Sequence, residues 1–255
     1  MKHYIGIDIG STSAKTIVIN ANRKIIHRGI QPTGWSSTDT AEDIRRRLAD
    51  QGIDADRSIC IATGYGRIAV PYADKCITEI TCHAKGAGRI FDESDLTVID
   101  IGGQDTKIIQ VVDGAVSDFL MNDKCSAGTG RFLEVMANIL SVRLDALMEL
   151  ASRGSDTTIS SMCTVFAESE VISLIGKGEQ KENIAFAVVD SIVKKVSSQA
   201  CKLVLGNRLV CLTGGLCDSA YICEALSKKL GKAVTTHPDG RYAGAYGAAL
   251  LAAVL

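Results

Sequence analysis

Polar and apolar positions alternate along this chain in two distinct rhythms. Residues 5–19 read Ile-Gly-Ile-Asp-Ile-Gly-Ser-Thr-Ser-Ala-Lys-Thr-Ile-Val-Ile, and residues 98–111 read Val-Ile-Asp-Ile-Gly-Gly-Gln-Asp-Thr-Lys-Ile-Ile-Gln-Val. Each is a β-branched run, a short turn of small polar residues and a second β-branched run, which predicts a hairpin. Both carry Asp-Ile-Gly with a lysine seven residues after the aspartate, Lys15 after Asp8 and Lys107 after Asp100, and the two frames lie 92 residues apart. A frame repeated at that distance predicts a duplicated pair of domains, each opening with a hairpin.

Helical spacing fills the remainder. Residues 41–50 predict a mostly exposed helix. From Thr129 onward the apolar positions 132, 135, 136, 139 and 140 keep helical spacing. Residues 165–175 place 167, 171, 174 and 175 on one face, and 182–204 form a long amphipathic helix. A strand at 208–213 runs into Gly214-Gly215, a helix covers 218–230, and an apolar helix at 243–255 follows. Strands alternating with helices predict an α/β fold. The division is placed near residue 95. The N-terminal domain, 1–95, holds the first loop. The C-terminal domain, 96–255, holds the second loop, the Gly-Gly and two distinctive cysteines. The last helix is read as returning to the first half.

Composition removes several function classes. The 255 residues are 46% hydrophobic and carry a formal charge of −1, so no basic field gathers nucleic acid or an acidic membrane surface. The apolar stretch from Ala243 to Leu255 has only 13 residues, too short to span a bilayer. Asp8 interrupts the first apolar run, which leaves no signal-peptide core and predicts a cytoplasmic protein. Nine cysteines, an odd number with no Cys-x-x-Cys pair, argue against a disulfide framework, a zinc ribbon and a single-chain ferredoxin cluster. Cys60 and Cys211 lie in strand-like apolar runs, where cysteine serves as a small hydrophobe.

The hairpin turns carry the candidate chemistry. Small residues let backbone N–H groups approach phosphate oxygens, and hydroxyls add donors. Gly10, Ser11, Thr12 and Ser13 form one such turn, and Gly102, Gly103 and Gln104 form the other. An aspartate just before each loop, Asp8 or Asp100, can hold Mg²⁺ through its waters or orient an attacking water, with Asp105 a third candidate. Lys15 would lie near the phosphates. One glycine-bearing hairpin is as readily plain structure. Two with matched spacing, followed by a strand ending in Gly214-Gly215, point to a nucleotide.

These loops resemble the phosphate-1, phosphate-2 and adenosine motifs of the actin, sugar-kinase and chaperone ATPase superfamily. The resemblance implies duplicated ribonuclease-H-like domains with a cleft for Mg-ATP between them. Four further segments look like the activators (component A) of 2-hydroxyacyl-CoA dehydratases and their benzoyl-CoA reductase relatives. They are Ala-Thr-Gly-Tyr-Gly-Arg (62–67), Asn-Asp-Lys-Cys-Ser-Ala-Gly-Thr-Gly-Arg-Phe-Leu (122–133), Cys-Thr-Val-Phe-Ala-Glu-Ser-Glu (163–170) and Ala-Gly-Ala-Tyr-Gly-Ala-Ala (243–249). The similarity runs from end to end.

Cys125 and Cys163 differ in setting from the other seven cysteines: each stands among small polar residues before a helical pattern. A helix N-terminus stabilises a thiolate. Taken alone, two such cysteines fit a structural or redox-sensing role more readily than cluster ligation. The resemblance implies that they bind one [4Fe–4S] cluster shared by two subunits of a homodimer. It implies an ATPase that takes electrons from ferredoxin or flavodoxin and passes them singly, at low potential, to an iron–sulfur dehydratase or reductase. It also places Gln104 as the γ-phosphate sensor, and Thr129 and Gly130 against the nucleotide; either could instead only cap a turn or begin a helix. Arg67 is a docking or surface residue, and His83 and His237, lacking partner spacing, are expected in core or surface roles. Three rivals remain: the same machine serving a benzoyl-CoA reductase or a double-cubane-cluster protein, a small-molecule kinase of this fold, and a non-catalytic actin-like module.

Overall fold

The computed structural model describes residues 2–160 and 163–255. The chain begins with a meander of β1 (His3–Ile9), β2 (Ser13–Asn20) and β3 (Ile25–Pro32), in which neighbours pair antiparallel. Helix α1 (Ser37–Asp50) leads to β4 (Ile59–Thr63), which lies parallel to β1, and β5 (Lys75–Cys76) lies parallel to β4. Helix α2 (Glu79–Phe91) follows. The pattern then starts again with β6 (Leu96–Ile101), β7 (Thr106–Val112) and β8 (Ala115–Asn122). Four helices intervene: α3 (Gly130–Ile139), α4 (Leu144–Arg153), α5 (Thr164–Gly176) and α6 (Lys181–Ala200). β9 (Leu209–Gly214), α7 (Ala220–Leu230), β10 (Val234–Thr236) and α8 (Ala243–Ala252) complete the order.

The sheets run β3-β2-β1-β4-β5 and β10-β9-β6-β7-β8. Read from the meander edge, each has the order third, second, first, fourth, fifth. The duplicated α/β architecture expected from the two hairpins is therefore present. By contact density the chain forms two compact units: Met1–Val98, Ile109–Phe119 and Asp239–Leu255 in one, Ile99–Ile108 and Leu120–Pro238 in the other. No helix among the described residues is long and apolar enough to cross a membrane.

Central strands are buried on both faces and so carry consecutive apolar residues, as Ile17, Val18 and Ile19 of β2 do. β3 instead alternates half-buried and exposed residues, as an edge strand does. The predicted helix at 41–50 starts four residues earlier, because the Ser36 hydroxyl accepts from the Asp39 amide and caps the first turn. On α5, Ala167 and Val171 are buried as the spacing predicts, but Ile175 is 44% exposed.

In the first unit α8 lies directly on β1 and α2, and every one of its residues from Ala243 to Leu250 is buried, hence its apolar character all round. Glycines make that approach possible. A β-carbon on Gly86 would collide with the Ala243 carbonyl, and one on Gly247 with the Cys82 carbonyl. Both obstacles are backbone, which no rotamer change relieves. Gly86→Ala should therefore destabilise by about 1–3 kcal/mol, the clash outweighing the roughly 1 kcal/mol that alanine gains in a helix. Urea midpoints compare it with Gly176→Ala, whose β-carbon meets nothing within 4 Å. Equal midpoints for the two variants would contradict the packing account.

Candidate nucleotide site and cysteine loops

The first loop sits in the β1–β2 hairpin. Asp8 and Lys15 are register partners, and the turn is closed by the Gly10 amide donating to the Ser13 carbonyl at 3.2 Å. The start of the next segment braces it. The Thr33 hydroxyl donates to the Gly10 carbonyl at 2.7 Å, and the Thr33 amide donates to the Thr12 carbonyl at 3.1 Å. Ser11 and Ser13 are half-buried and Thr12 is exposed, so the loop keeps hydroxyls at its surface. Lys15 donates to the Ser13 carbonyl at 3.3 Å.

Asp8 itself is buried, at 5% exposure. Two glycines leave room for its carboxylate: a β-carbon on Gly64 would press on Oδ1, and one on Gly244 on Oδ2. Gly64 belongs to the 62–67 segment and Gly244 to the 243–249 segment. Two motifs far apart in sequence thus meet at one side chain.

The second loop, between β6 and β7, closes the same way, with the Gly102 amide donating to the Asp105 carbonyl at 2.9 Å. Gln104 is exposed at its tip. Below it lies a buried ionic cluster. Lys107 reaches Asp105 at 2.7 Å and Asp100 at 3.4 Å, with all three side chains at most 8% exposed. The Thr213 hydroxyl donates to the other Asp100 oxygen at 2.8 Å. Gly214 has φ +85°, and a β-carbon there would meet the Ile101 carbonyl and the Asp100 carboxylate. The Gly215 amide donates to the Ile101 carbonyl at 3.0 Å. Asp100, Asp105, Gly102, Gly214 and Gly215 therefore form one site. Lys107, at the position the repeat marks, belongs to it too, although the loop motifs alone do not point to it.

Beside Gly215 is a cavity of about 430 Å³ lined by Leu144, Met148, Leu216, Asp218 and Tyr221 among others. An apolar slot with a few polar groups is what a purine ring needs. Asp8 and Asp100 lie in different units, so each loop stands here on its own geometry.

Thr129 and Gly130 serve the protein in this structure. The Thr129 hydroxyl donates to the Ser126 carbonyl at 2.7 Å, and the Gly130 and Arg131 amides donate to the Gly102 and Gly103 carbonyls at 2.9 and 2.8 Å. The first amides of α3 thus hold the second loop. The Thr106 hydroxyl adds a bond of 2.6 Å to the Gly128 carbonyl.

The cysteines divide by environment. Burial pushes the Cys60 and Cys82 thiols up to about 12 and raises Cys211 as well, so these three stay protonated and inert. Cys125 and Cys163 are exposed. Cys163 is the N-cap of α5, as its setting predicts. Cys125 differs from expectation: α3 begins five residues later, and its leading amides are spent on the second loop. Its loop is held instead by Asn122, whose amide donates to the Cys125 and Ala127 carbonyls at 2.9 and 3.1 Å. The residues that follow the two cysteines touch, Ser126 and Thr164 sharing a hydrogen bond of 2.8 Å. Among the described residues no group of three or more His, Cys, Asp or Glu side chains could hold a metal ion within one chain.

The chain is 42% identical over 251 residues to the (R)-2-hydroxyglutaryl-CoA dehydratase activating ATPase of Acidaminococcus fermentans, covering 97% of this chain and 96% of that one. It superposes with a TM-score of 0.91 on the activator of the 2-hydroxyisocaproyl-CoA dehydratase from Clostridium difficile with bound ADPNP. That pair is 35% identical and covers 99% of this chain and 94% of the other. A glucokinase of the ROK family from Streptomyces griseus, 14% identical with a TM-score of 0.62 and coverage of 98% of each chain, shares the fold alone. The fold is thus that of the actin-like ATPases and sugar kinases. The pattern of the BadF/BadG/BcrA/BcrD ATPase family matches residues 5–252, and the chain belongs to that family.

Proposed function

We propose that this protein is a homodimeric ATPase that activates a partner iron–sulfur enzyme of the 2-hydroxyacyl-CoA dehydratase type, delivering single electrons at the expense of ATP. The observation that carries the reading is a continuous run of hydrogen bonds inside the second unit. It passes from the Gly102–Gly103 loop to the start of α3, through Thr129 to Ser126 beside Cys125, and across to Thr164 beside Cys163. A change at the phosphates therefore has a physical route to both thiols.

The donor set fits a shared cluster. The exposed thiols of the two joined loops, Cys125 and Cys163, are half of the four thiolates that a [4Fe–4S] cluster takes, and a two-fold dimer supplies the other half. Bound there by Cys125 and Cys163 of both copies, the cluster would supply one-electron transfer at low potential, accepting from ferredoxin or flavodoxin. On α5, just past Cys163, Val165 and Phe166 are 66% and 67% exposed, apolar surface of the kind an interface covers.

For nucleotide chemistry, the loop amides and hydroxyls of Gly10–Ser13 and Gly102–Gln104 bind phosphates, and Lys15 adds charge. The cavity beside Gly215 takes the adenine. Mg²⁺ suits Asp100 through water, since both of its oxygens are already engaged by Thr213 and Lys107, and in its own loop Asp8 is the matching carboxylate. Gln104, exposed at the tip of its loop, reads the γ-phosphate. By this reading the protein works in an anaerobic cytoplasm.

The test is a measurement of iron and acid-labile sulfide after strictly anaerobic purification. About four of each per dimer is expected for one [4Fe–4S] cluster. Iron-free protein that still hydrolyses ATP would leave only the nucleotide half of the proposal standing.

A further inference from the structure

The two duplicated aspartates differ in what holds them. Asp100 is fixed on one side by Lys107 and on the other by the Thr213 hydroxyl. Lys15, the repeat's equivalent of Lys107, does not take that role for Asp8, because its ammonium donates to the Ser13 carbonyl. Another group stands beside Asp8. The point where a β-carbon on Gly244 would sit lies 2.6 Å from Asp8 Oδ2 and 2.8 Å from His83 Cε1, so carboxylate and imidazole converge on the same small space.

His83 is 7% exposed, on the buried side of α2. Its Nδ1 is 2.9 Å from the Glu79 carbonyl. A carbonyl only accepts, so Nδ1 carries the proton of the neutral ring and Nε2 is an acceptor, which reaches the carboxylate, itself an acceptor, through one water that donates to both. Gly244 has no side chain to separate the two groups, and a β-carbon there would strike both.

We infer that His83 is a positioning residue for Asp8, fixing the orientation in which the carboxylate addresses the Mg²⁺ waters or the attacking water. The inference rests on the reading of Asp8 as the carboxylate that acts on the phosphate side. Partners that orient such a group are worth about 10- to 100-fold in activity.

His83→Ala, His83→Gln, His83→Asn and Asp8→Asn are compared with the parent by steady-state ATP hydrolysis, with ADP titration confirming a folded nucleotide site. His83→Ala should lower kcat about 10- to 100-fold, with KM for MgATP changed by no more than about threefold. His83→Gln should recover most of the loss, because its amide oxygen can accept in the place of Nε2. His83→Asn, which replaces only Nδ1, should not. An unchanged kcat in His83→Ala, with Asp8→Asn slow, overturns the inference and leaves the role of Asp8 intact. Equal recovery by Asn and Gln also overturns it, since the bond to Glu79 would then be all that matters. Asp8→Asn hydrolysing at the parental rate overturns both readings together.

Discussion

Replacing Lys107 by methionine is expected to lower stability by about 3–5 kcal/mol, while Lys15→Met should cost less than about 1 kcal/mol. The two lysines occupy equivalent places in the repeat, yet their surroundings differ. Lys107 is 2% exposed and is the cation between Asp100 and Asp105. Methionine preserves most of the side chain's volume, so the loss reports charge and not a cavity. Removing one member of a buried ionic group leaves the others desolvated and uncompensated, and here two carboxylates would face each other. Lys15 is half-buried, and its ammonium meets one carbonyl that water can serve as well. Urea titration of both variants decides the matter. If Lys107→Met keeps the parental midpoint, the cluster is not what holds the second loop.

Cys125→Ser and Cys163→Ser should each remove essentially all bound iron, while ATP hydrolysis stays within about twofold of the parent. Both thiols are exposed, and neither is needed to fill the core, so serine is tolerated structurally. A hydroxyl is a poor ligand for iron beside a thiolate, and losing one ligand type from each subunit halves a four-thiolate set. The phosphate loop keeps its own bonds in these variants, because Gly102 and Gly103 are held by α3 amides and not by either thiol. Cys76→Ser and Cys201→Ser serve as controls, being exposed cysteines outside these loops. Iron lost equally from a control and from Cys125→Ser would show that exposure alone, and not position, governs binding. Iron kept in both Cys125→Ser and Cys163→Ser would rule out the proposed ligands.

The limits of reading the chain show most clearly around Asp8 and Cys125. The hairpins, their spacing and the strand ending in Gly214-Gly215 were visible because local backbone demands leave local marks: β-branched runs for buried strands, glycine where φ is positive. The motifs at 62–67 and 243–249 were visible as resemblances, without any hint that they converge on the Asp8 carboxylate. His83 carried no signal at all, since its neighbour across Gly244 lies on a different element. Cys125 looked like a helix-start cysteine because small residues precede the helical spacing. The helix in fact spends its first amides on Gly102 and Gly103, a bond pattern that depends on where the second loop lies.

Periodicity and contiguous motifs are enough to specify the duplicated α/β architecture, the two Asp-Ile-Gly loops and the two distinctive cysteines. Packing between distant segments sets Lys107 against Asp100, while the Lys15 ammonium turns to the Ser13 carbonyl. It also decided that Gly86 and Gly247 admit α8, and that Ser126 and Thr164 join the two cysteine loops. Those outcomes depend on which side chains from distant segments share a desolvated space, and that is settled by packing between elements, not by the order of residues within one.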